Sequence, residues 1–246
     1  MVRAFIAIPT YNEADNIEPL VTAILGQGRA FEVVVVDDNS PDGTAERVER
    51  LAQRSGRVHL LRRAGKLGYA SAVAAGLRYG LDQGADYLLH MDADFSHQPR
   101  YLPALLALVA EGEADIAVGS RYVAGGGTRN WGLGRVLLSR GANLVARGLL
   151  GLRLSDCTSG FRCYRRAALE ALEFEQVGVD GYSFLIELTC RAEARGLRFA
   201  QVPIIFVDRS AGQSKISRRI IGEAAGLVLR RALVRLAGAM GRDDGR

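Results

Sequence analysis

"FEVVVVDDNSPDGTAERVERLAQRSGRVHLLRR", residues 31–63, decides the fold. Four successive valines with no polar residue between them read as a strand covered on both faces, because a half-exposed strand alternates apolar with polar side chains. The run stops at two aspartates and a Pro-Asp-Gly turn. Apolar residues at helical spacing then predict a helix over 43–56, and "VHLLRR" starts the next strand. A strand, a helix of 10–15 residues and another strand form one unit of a parallel sheet.

Outward from this unit the pattern repeats. "RAFIAIPT" (3–10) predicts a strand and "EADNIEPLVTAILGQ" (13–27) a helix before it. After it come a helix over 68–84 closed by Gly84, a strand "DYLLHMD" (86–92), and a helix "QPRYLPALLALVAEG" (98–112) that starts near a proline. The expected fold is α/β, with a mostly parallel central sheet and helices on both faces. Ligands in such sheets bind at the carboxyl ends of the strands. Three of the first four strands end in polar clusters, "PTYNE", "DDNSPDGT" and "DADFSH".

The last cluster, within "LLHMDADFSHQP" (88–99), carries the sharpest chemical signal. A turn is the plainer reading of Asp92 and Asp94. Yet carboxylates at i and i+2 leave a strand on the same side, and holding both ionised calls for a positive charge between them. A hard divalent cation that also takes substrate phosphates and water would supply it. His97 beside the pair is expected to be structural, and His59 and His90 to be packing residues.

Composition narrows the rest. With 246 residues, 48% hydrophobic and 24% charged, the chain is an ordinary globular domain with room for one appendage. The net charge of +5 suits phosphate-bearing or membrane-surface partners. No nucleic acid is expected, since neither zinc-finger spacing nor a basic stripe laced with aromatics occurs. Cys157, Cys163 and Cys190 lack C-x-x-C spacing and read as reduced thiols of a cytoplasmic protein, in keeping with an opening that lacks an export-signal pattern. The dinucleotide and phosphate-loop glycine motifs and the G-x-S-x-G elbow are all absent, which leaves metal and basic side chains to hold phosphates. The longest uncharged run, residues 67–77, is too short to span a bilayer.

Taken together, "IPTYNEADNI", "VVVVDDNSPDGT", "GKLGYASA", "HMDADFSHQP", "GSRYV", "DCTSGFRCY" and "VPIIFVDRSAGQSK" resemble, in order and spacing, the glycosyltransferase family 2 enzymes of GT-A fold, over about residues 4–216. "DCTSGFR" with "FVDR" and "SK" is most similar to the dolichol-phosphate (polyprenol-phosphate) mannose synthase branch. The resemblance implies transfer of mannose from GDP-mannose to a polyprenyl (dolichyl) phosphate with inversion, assisted by Mg²⁺ or Mn²⁺. It implies that Pro9, Tyr11, Glu13, Val36 and Asp38 line a nucleoside pocket. Asp92, Ala93 and Asp94 would hold the sugar diphosphate and the metal, with Ser96 standing where some relatives carry a glutamine ligand. Arg121, Arg209 and Lys215 match positions that engage donor phosphates. Arg121, Arg135 and Ser139 match those that receive the acceptor phosphate. Asp92, Asp94 and Arg121 are the expected catalytic set. A UDP-glucose-dependent transferase and an inactive nucleotide-sugar-binding scaffold are the alternatives.

The expected organisation is a GT-A domain over 1–214, a C-terminal amphipathic interface helix over 215–240 and a disordered tail over 241–246. Within the domain, 129–153 interleaves arginines with Trp131, Leu137, Leu138, Leu144, Val145, Leu149 and Leu150. That pattern fits either a membrane-interface segment or a surface helix packed on the domain. Arginines scatter around 215–240, so partner-helix packing, a homodimer or a membrane-anchoring subunit stay open there. The expected location is peripheral, on the cytoplasmic face of the membrane.

Overall fold

A computed structural model describes residues 2–208 and 222–233. Its main sheet has seven strands: β1 (Ala4–Thr10), β2 (Phe31–Asp37), β3 (Val58–Arg62), β4 (Tyr87–His90), β5 (Ile116–Ser120), β7 (Arg162–Arg165) and β8 (Phe199–Pro203), in the order β3-β2-β1-β4-β7-β5-β8. β6 (Gly127–Arg129) and β9 (Ile205–Val207) pair separately as a small parallel ribbon. β7 alone runs antiparallel, between β4 and β5. The sheet is mostly parallel, as expected.

Both faces are covered, which is why the strands are apolar throughout. Ile6, Ile8, Val33, Val35 and Leu89 pack beneath α1 (Ala14–Leu25), α2 (Thr44–Arg54) and α4 (Leu102–Ala110). Their neighbours Phe5, Ala7, Val34, Val36 and Leu88 pack beneath α3 (Tyr69–Asp82) and α7 (Gly181–Ala194). The contact with α3 is close because Gly76 and Gly80 face the sheet. A Cβ at Gly76 would lie 2.6 Å from Ala7 Cβ, and one at Gly80 2.6 Å from Leu88 Cδ1. His59 and His90 pack as expected, against Phe5 and Tyr79 and against Tyr164 respectively.

The chain leaves β1 toward β2 and β3 on one side and returns to β4 on the other. Between β1 and β4 the connections diverge, which opens a crevice at the carboxyl ends of the strands. Pro9 and the Asp92–Asp94 loop flank it. Beside the crevice lie α5 (Leu133–Leu150), closed by Gly151 at φ 67°, and α8, a helix over 222–233. Short helix α6 (Arg166–Ala171) follows β7. Of the helix expected over 215–240, residues 222–233 are described; the tail over 241–246 lies outside the described residues.

Candidate active site

The loop after β4 turns tightly. Phe95 takes φ 59°, a left-handed conformation costing about 1–3 kcal/mol for a bulky residue. Two hydrogen bonds support the turn: Ser96 N–H donates to Asp94 Oδ1 at 3.1 Å, and Asp92 N–H donates to His97 Nδ1 at 3.1 Å. Because Nδ1 accepts, the His97 proton sits on Nε2. Burial lowers the pKa of His97 despite the opposing pull of Asp92 and Asp94, so the ring is neutral. It stacks on Phe161, with centroids 5.0 Å apart, and meets Phe206 edge-on. His97 is thus the clamp that fixes the backbone of Asp92, the structural role expected of it.

Gly160 leaves room for this arrangement. A Cβ there would lie 2.6 Å from Tyr69 Oη and 3.7 Å from Asp92 Oδ1. Tyr69, the first residue of α3, is kept protonated chiefly by burial and secondarily by the charge of Asp92.

Arg121, just past β5, has a dedicated partner. Its Nε and Nη2 each donate to the Asp156 carboxylate at 2.7 Å, its backbone N–H to the same group at 3.1 Å, and Nη2 also to Thr158 Oγ1 at 2.8 Å. Asp156 is 0% exposed. Burial alone would raise the carboxyl pKa, but the guanidinium and its hydrogen bonds hold it below the ordinary range; burial would lower that of Arg121, and Asp156 raises it. Both groups are therefore ionised. Tyr122, Trp131 and Phe206 surround the guanidinium at 5.1–5.6 Å from ring centroid to Cζ.

Arg135, on the first turn of α5, stacks on Trp131 at 4.1 Å and donates through Nη1 to Asp208 Oδ2 at 2.6 Å. Ser139, one turn on, shares a 2.6 Å hydrogen bond with Tyr122 Oη. Arg121, Trp131, Arg135, Thr158 and Tyr182 form a wall with a cavity on each side. One cavity is the more polar of the two and contains Asp92, Asp94 and Asp208. The other is an apolar groove walled by Leu138, Ala142 and Val145 of α5 and by Ala225, Val228 and Leu229 of α8.

The polar cavity brings together Pro9, Glu13, Asp92, Ala93, Asp94, Ser96, Arg121 and Arg135. Ser139 faces the apolar groove. Tyr11 lies under Lys66, 4.2 Å from ring centroid to Nζ. Three of the five expected nucleoside contacts, Tyr11, Val36 and Asp38, are not brought to the cavity lining. Val36 is fully buried, with its side chain under Gly76 of α3, and Asp38 is spent on Arg63 Nε and Leu67 N–H at 2.5 and 3.0 Å. Arg209 and Lys215 lie outside the described residues. Sequence reasoning gave no role to Tyr69, Asp156, Thr158, Tyr182 or Asp208. Trp131 belongs to the stretch that fits either a membrane-interface segment or a packed surface helix, and its ring lies in the wall between the cavities. Asp156 and Thr158 lie in the string "DCTSGFR", Tyr69 in "GKLGYASA" and Asp208 in "VPIIFVDR", while Tyr182 lies in none of the motifs.

Among the described residues no group of three His, Cys, Asp or Glu side chains gathers that could hold a metal alone. Two carboxylates at the mouth of a polar cavity, backed by the Ser96 position, fit a hard cation that completes its shell with diphosphate oxygens and water.

Residues 5–173 match the family described as Glycosyl transferase family 2. The chain is 42% identical over 223 residues to the undecaprenyl-phosphate mannosyltransferase of Micrococcus luteus, covering 91% of each chain. It is 44% identical to the polyprenol monophosphomannose synthase of Mycolicibacterium smegmatis, covering 90% of this chain and 84% of that one. Among solved structures, glucosyl-3-phosphoglycerate synthase of Mycobacterium tuberculosis with Mn²⁺, UDP-glucose and phosphoglyceric acid aligns at TM-score 0.68 and 21% identity, over 94% of this chain and 80% of that one. The mannosyltransferase PcManGT of Pyrobaculum calidifontis with GDP-Man and Mn²⁺ aligns at 0.57 and 20% identity, over 97% and 75%. With the sheet order, the acid pair after β4 and these likenesses in agreement, the chain belongs to glycosyltransferase family 2 and carries its GT-A fold.

Proposed function

We propose that the protein transfers mannose from GDP-mannose to a polyprenyl phosphate, with inversion at the anomeric carbon. The observation that carries this reading is the wall of Arg121, Trp131, Arg135, Thr158 and Tyr182, which separates a polar, acid-bearing cavity from an apolar groove. A sugar diphosphate suits the first and an isoprenoid chain the second, so the acceptor phosphate would meet the sugar at the wall. The names of two relatives above 40% identity, an undecaprenyl-phosphate mannosyltransferase and a polyprenol monophosphomannose synthase, support both the sugar and the lipid.

A phosphate monoester has its second pKa near 6 and is largely ionised at neutral pH. It attacks the anomeric carbon without a protein base, in keeping with the structural role of His97. The work left to the chain is electrostatic: two anions must be brought together and a diphosphate must leave. Asp92 and Asp94 would hold a divalent cation, Mg²⁺ or Mn²⁺, which when bound neutralises the leaving diphosphate. Arg135 would exchange part of its contact with Asp208 for the acceptor phosphate, with the Ser139 hydroxyl beside it. Arg121, already paired through Nε and Nη2, orders the wall and presents Nη1 at a fixed position.

The helix α5 supports work at a membrane surface. At 100° per residue, an arc of about 160° from Leu133 to Leu149 carries no charge, and Leu133, Leu137 and Leu144 on it are 82%, 70% and 68% exposed. No described helix is long and apolar enough to cross a bilayer, so attachment would be peripheral. Three free thiols are consistent with the cytoplasmic side.

The test is turnover on a short polyprenyl phosphate with GDP-mannose or UDP-glucose, each with and without Mn²⁺. GDP-mannose with metal should be the productive combination. A preference for UDP-glucose would reassign the donor, and no turnover with either would point to a binding protein.

A further inference from the structure

The apolar groove has one wall from α5 and the other from α8. α5 meets the body through the buried residues Asn143, Ala146 and Leu150. α8 rests on the body through few apolar side chains, Leu227, Val228 and Ala232, which reach Ala146, Leu150, Leu152 and Ile186. Such contacts are non-directional.

A guanidinium–carboxylate contact supplies direction. Glu187 of α7 is 5% exposed and lies next to Ile186 on the groove floor. Its carboxylate accepts from Arg231 Nε of α8 at 2.8 Å, from Arg231 Nη2, and from Arg191 Nε at 3.0 Å. Arg191 is itself pinned, donating to the Leu172 and Glu173 carbonyls at 3.1 and 2.9 Å. The carboxylate is therefore aimed at α8 before Arg231 arrives. A bidentate guanidinium–carboxylate pair fixes both distance and orientation.

We infer that the Glu187–Arg231 pair is a latch that sets the position of α8 and with it the width of the groove, making both residues positioning residues for the acceptor's hydrocarbon chain. The inference rests on the polyprenyl phosphate reading. Neither side chain lines either cavity. The latch should therefore act on the length of chain that can be seated and leave the chemistry at the wall alone.

The experiment compares Arg231→Gln, Arg231→Lys and Glu187→Gln with the unaltered protein, using a two-isoprene phosphate and a long-chain polyprenyl phosphate as acceptors. Arg231→Gln should raise the KM for the long acceptor about tenfold, the scale of one lost charge-assisted hydrogen bond. The KM for GDP-mannose and for the short acceptor should change by less than about twofold by the same reasoning. Glu187→Gln should behave likewise, and Arg231→Lys, which keeps the charge but loses the fork, should recover part of the effect. Equal effects on both acceptors, or none on either, would overturn the latch. If the unaltered protein turned over neither acceptor, the polyprenyl phosphate reading would fail and the latch with it.

Discussion

Arg121 and Asp156, 35 residues apart in sequence, meet as a buried bidentate pair whose two hydrogen bonds are both 2.7 Å long. A cation in a phosphate-handling site is often pictured as waiting for its anion. This one is already neutralised from within, and its value lies in being immovable.

Asp156→Asn tests that reading through stability. Leaving the Arg121 charge buried without its partner should cost about 3–5 kcal/mol, measured by denaturant unfolding. The sign with pH follows from the depressed carboxyl pKa. Stability from the pair is full above the unfolded Asp value of about 4 and is lost as pH falls through the lower native one. The gap between the two proteins should therefore close in acid.

Asp94→Asn tests the metal. Removing one of two carboxylates should raise the Mn²⁺ concentration needed for half-maximal turnover and reduce kcat on the order of a hundredfold, the scale of losing one electrostatic group at the reacting centre. The thermal midpoint should hold. Unchanged turnover at the same Mn²⁺ concentration would return the acid pair to the role of a turn.

Gly160→Ala tests how tightly the loop, Tyr69 and Asp92 are packed. The added Cβ would meet Tyr69 Oη at 2.6 Å and must push either that ring or the Asp92 loop aside. Activity should fall further than stability. Adding Tyr69→Phe removes the obstructing oxygen and should restore much of the loss; a double variant no better than the single one would place the strain elsewhere.

The architecture was legible because burial on both faces writes itself into the chain as unbroken apolar runs such as "VVVV". The acid pair was legible because its two members are two residues apart. Val36 shows the limit: periodicity reveals a strand, but which valine turns toward α3 depends on the helix stacked above it. Asp38 shows another, since its commitment to Arg63 and Leu67 depends on where the 63–68 loop folds back. For Trp131, set among leucines in sequence, a membrane interface and a packed surface helix fit equally well. In space it faces Arg121, Arg135 and Phe206, contacts that depend on the β6–β9 pairing.

The α5 arc predicts membrane behaviour. The protein should sediment with anionic vesicles at low salt and be partly released as ionic strength rises, each Arg or Lys near the surface contributing about 1 kcal/mol that salt screens. Leu137→Glu with Leu144→Glu should abolish the salt-resistant fraction without lowering the thermal midpoint, both side chains being exposed. Retention of that fraction would move the contact to another surface.

The thiols give a check that needs no substrate. Burial pushes Cys157 up to about 12 and Cys190 up to about 11, and raises Cys163 as well. Since the thiolate is the reactive form, labelling of the native protein should be slow at pH 8 and accelerate about tenfold per pH unit. Fast labelling at pH 8 would mean that the core around α7 opens readily.

The wall between the two cavities also sets an order of events. A single pocket that took both substrates in turn would have to store the sugar on the protein between visits, and initial-rate lines at different acceptor concentrations would run parallel. On the proposed reading each substrate would take its own chamber against the same five residues. Transfer would then wait for a ternary complex, the lines should converge, and the nucleoside diphosphate should compete with the donor while leaving the lipid's place untouched.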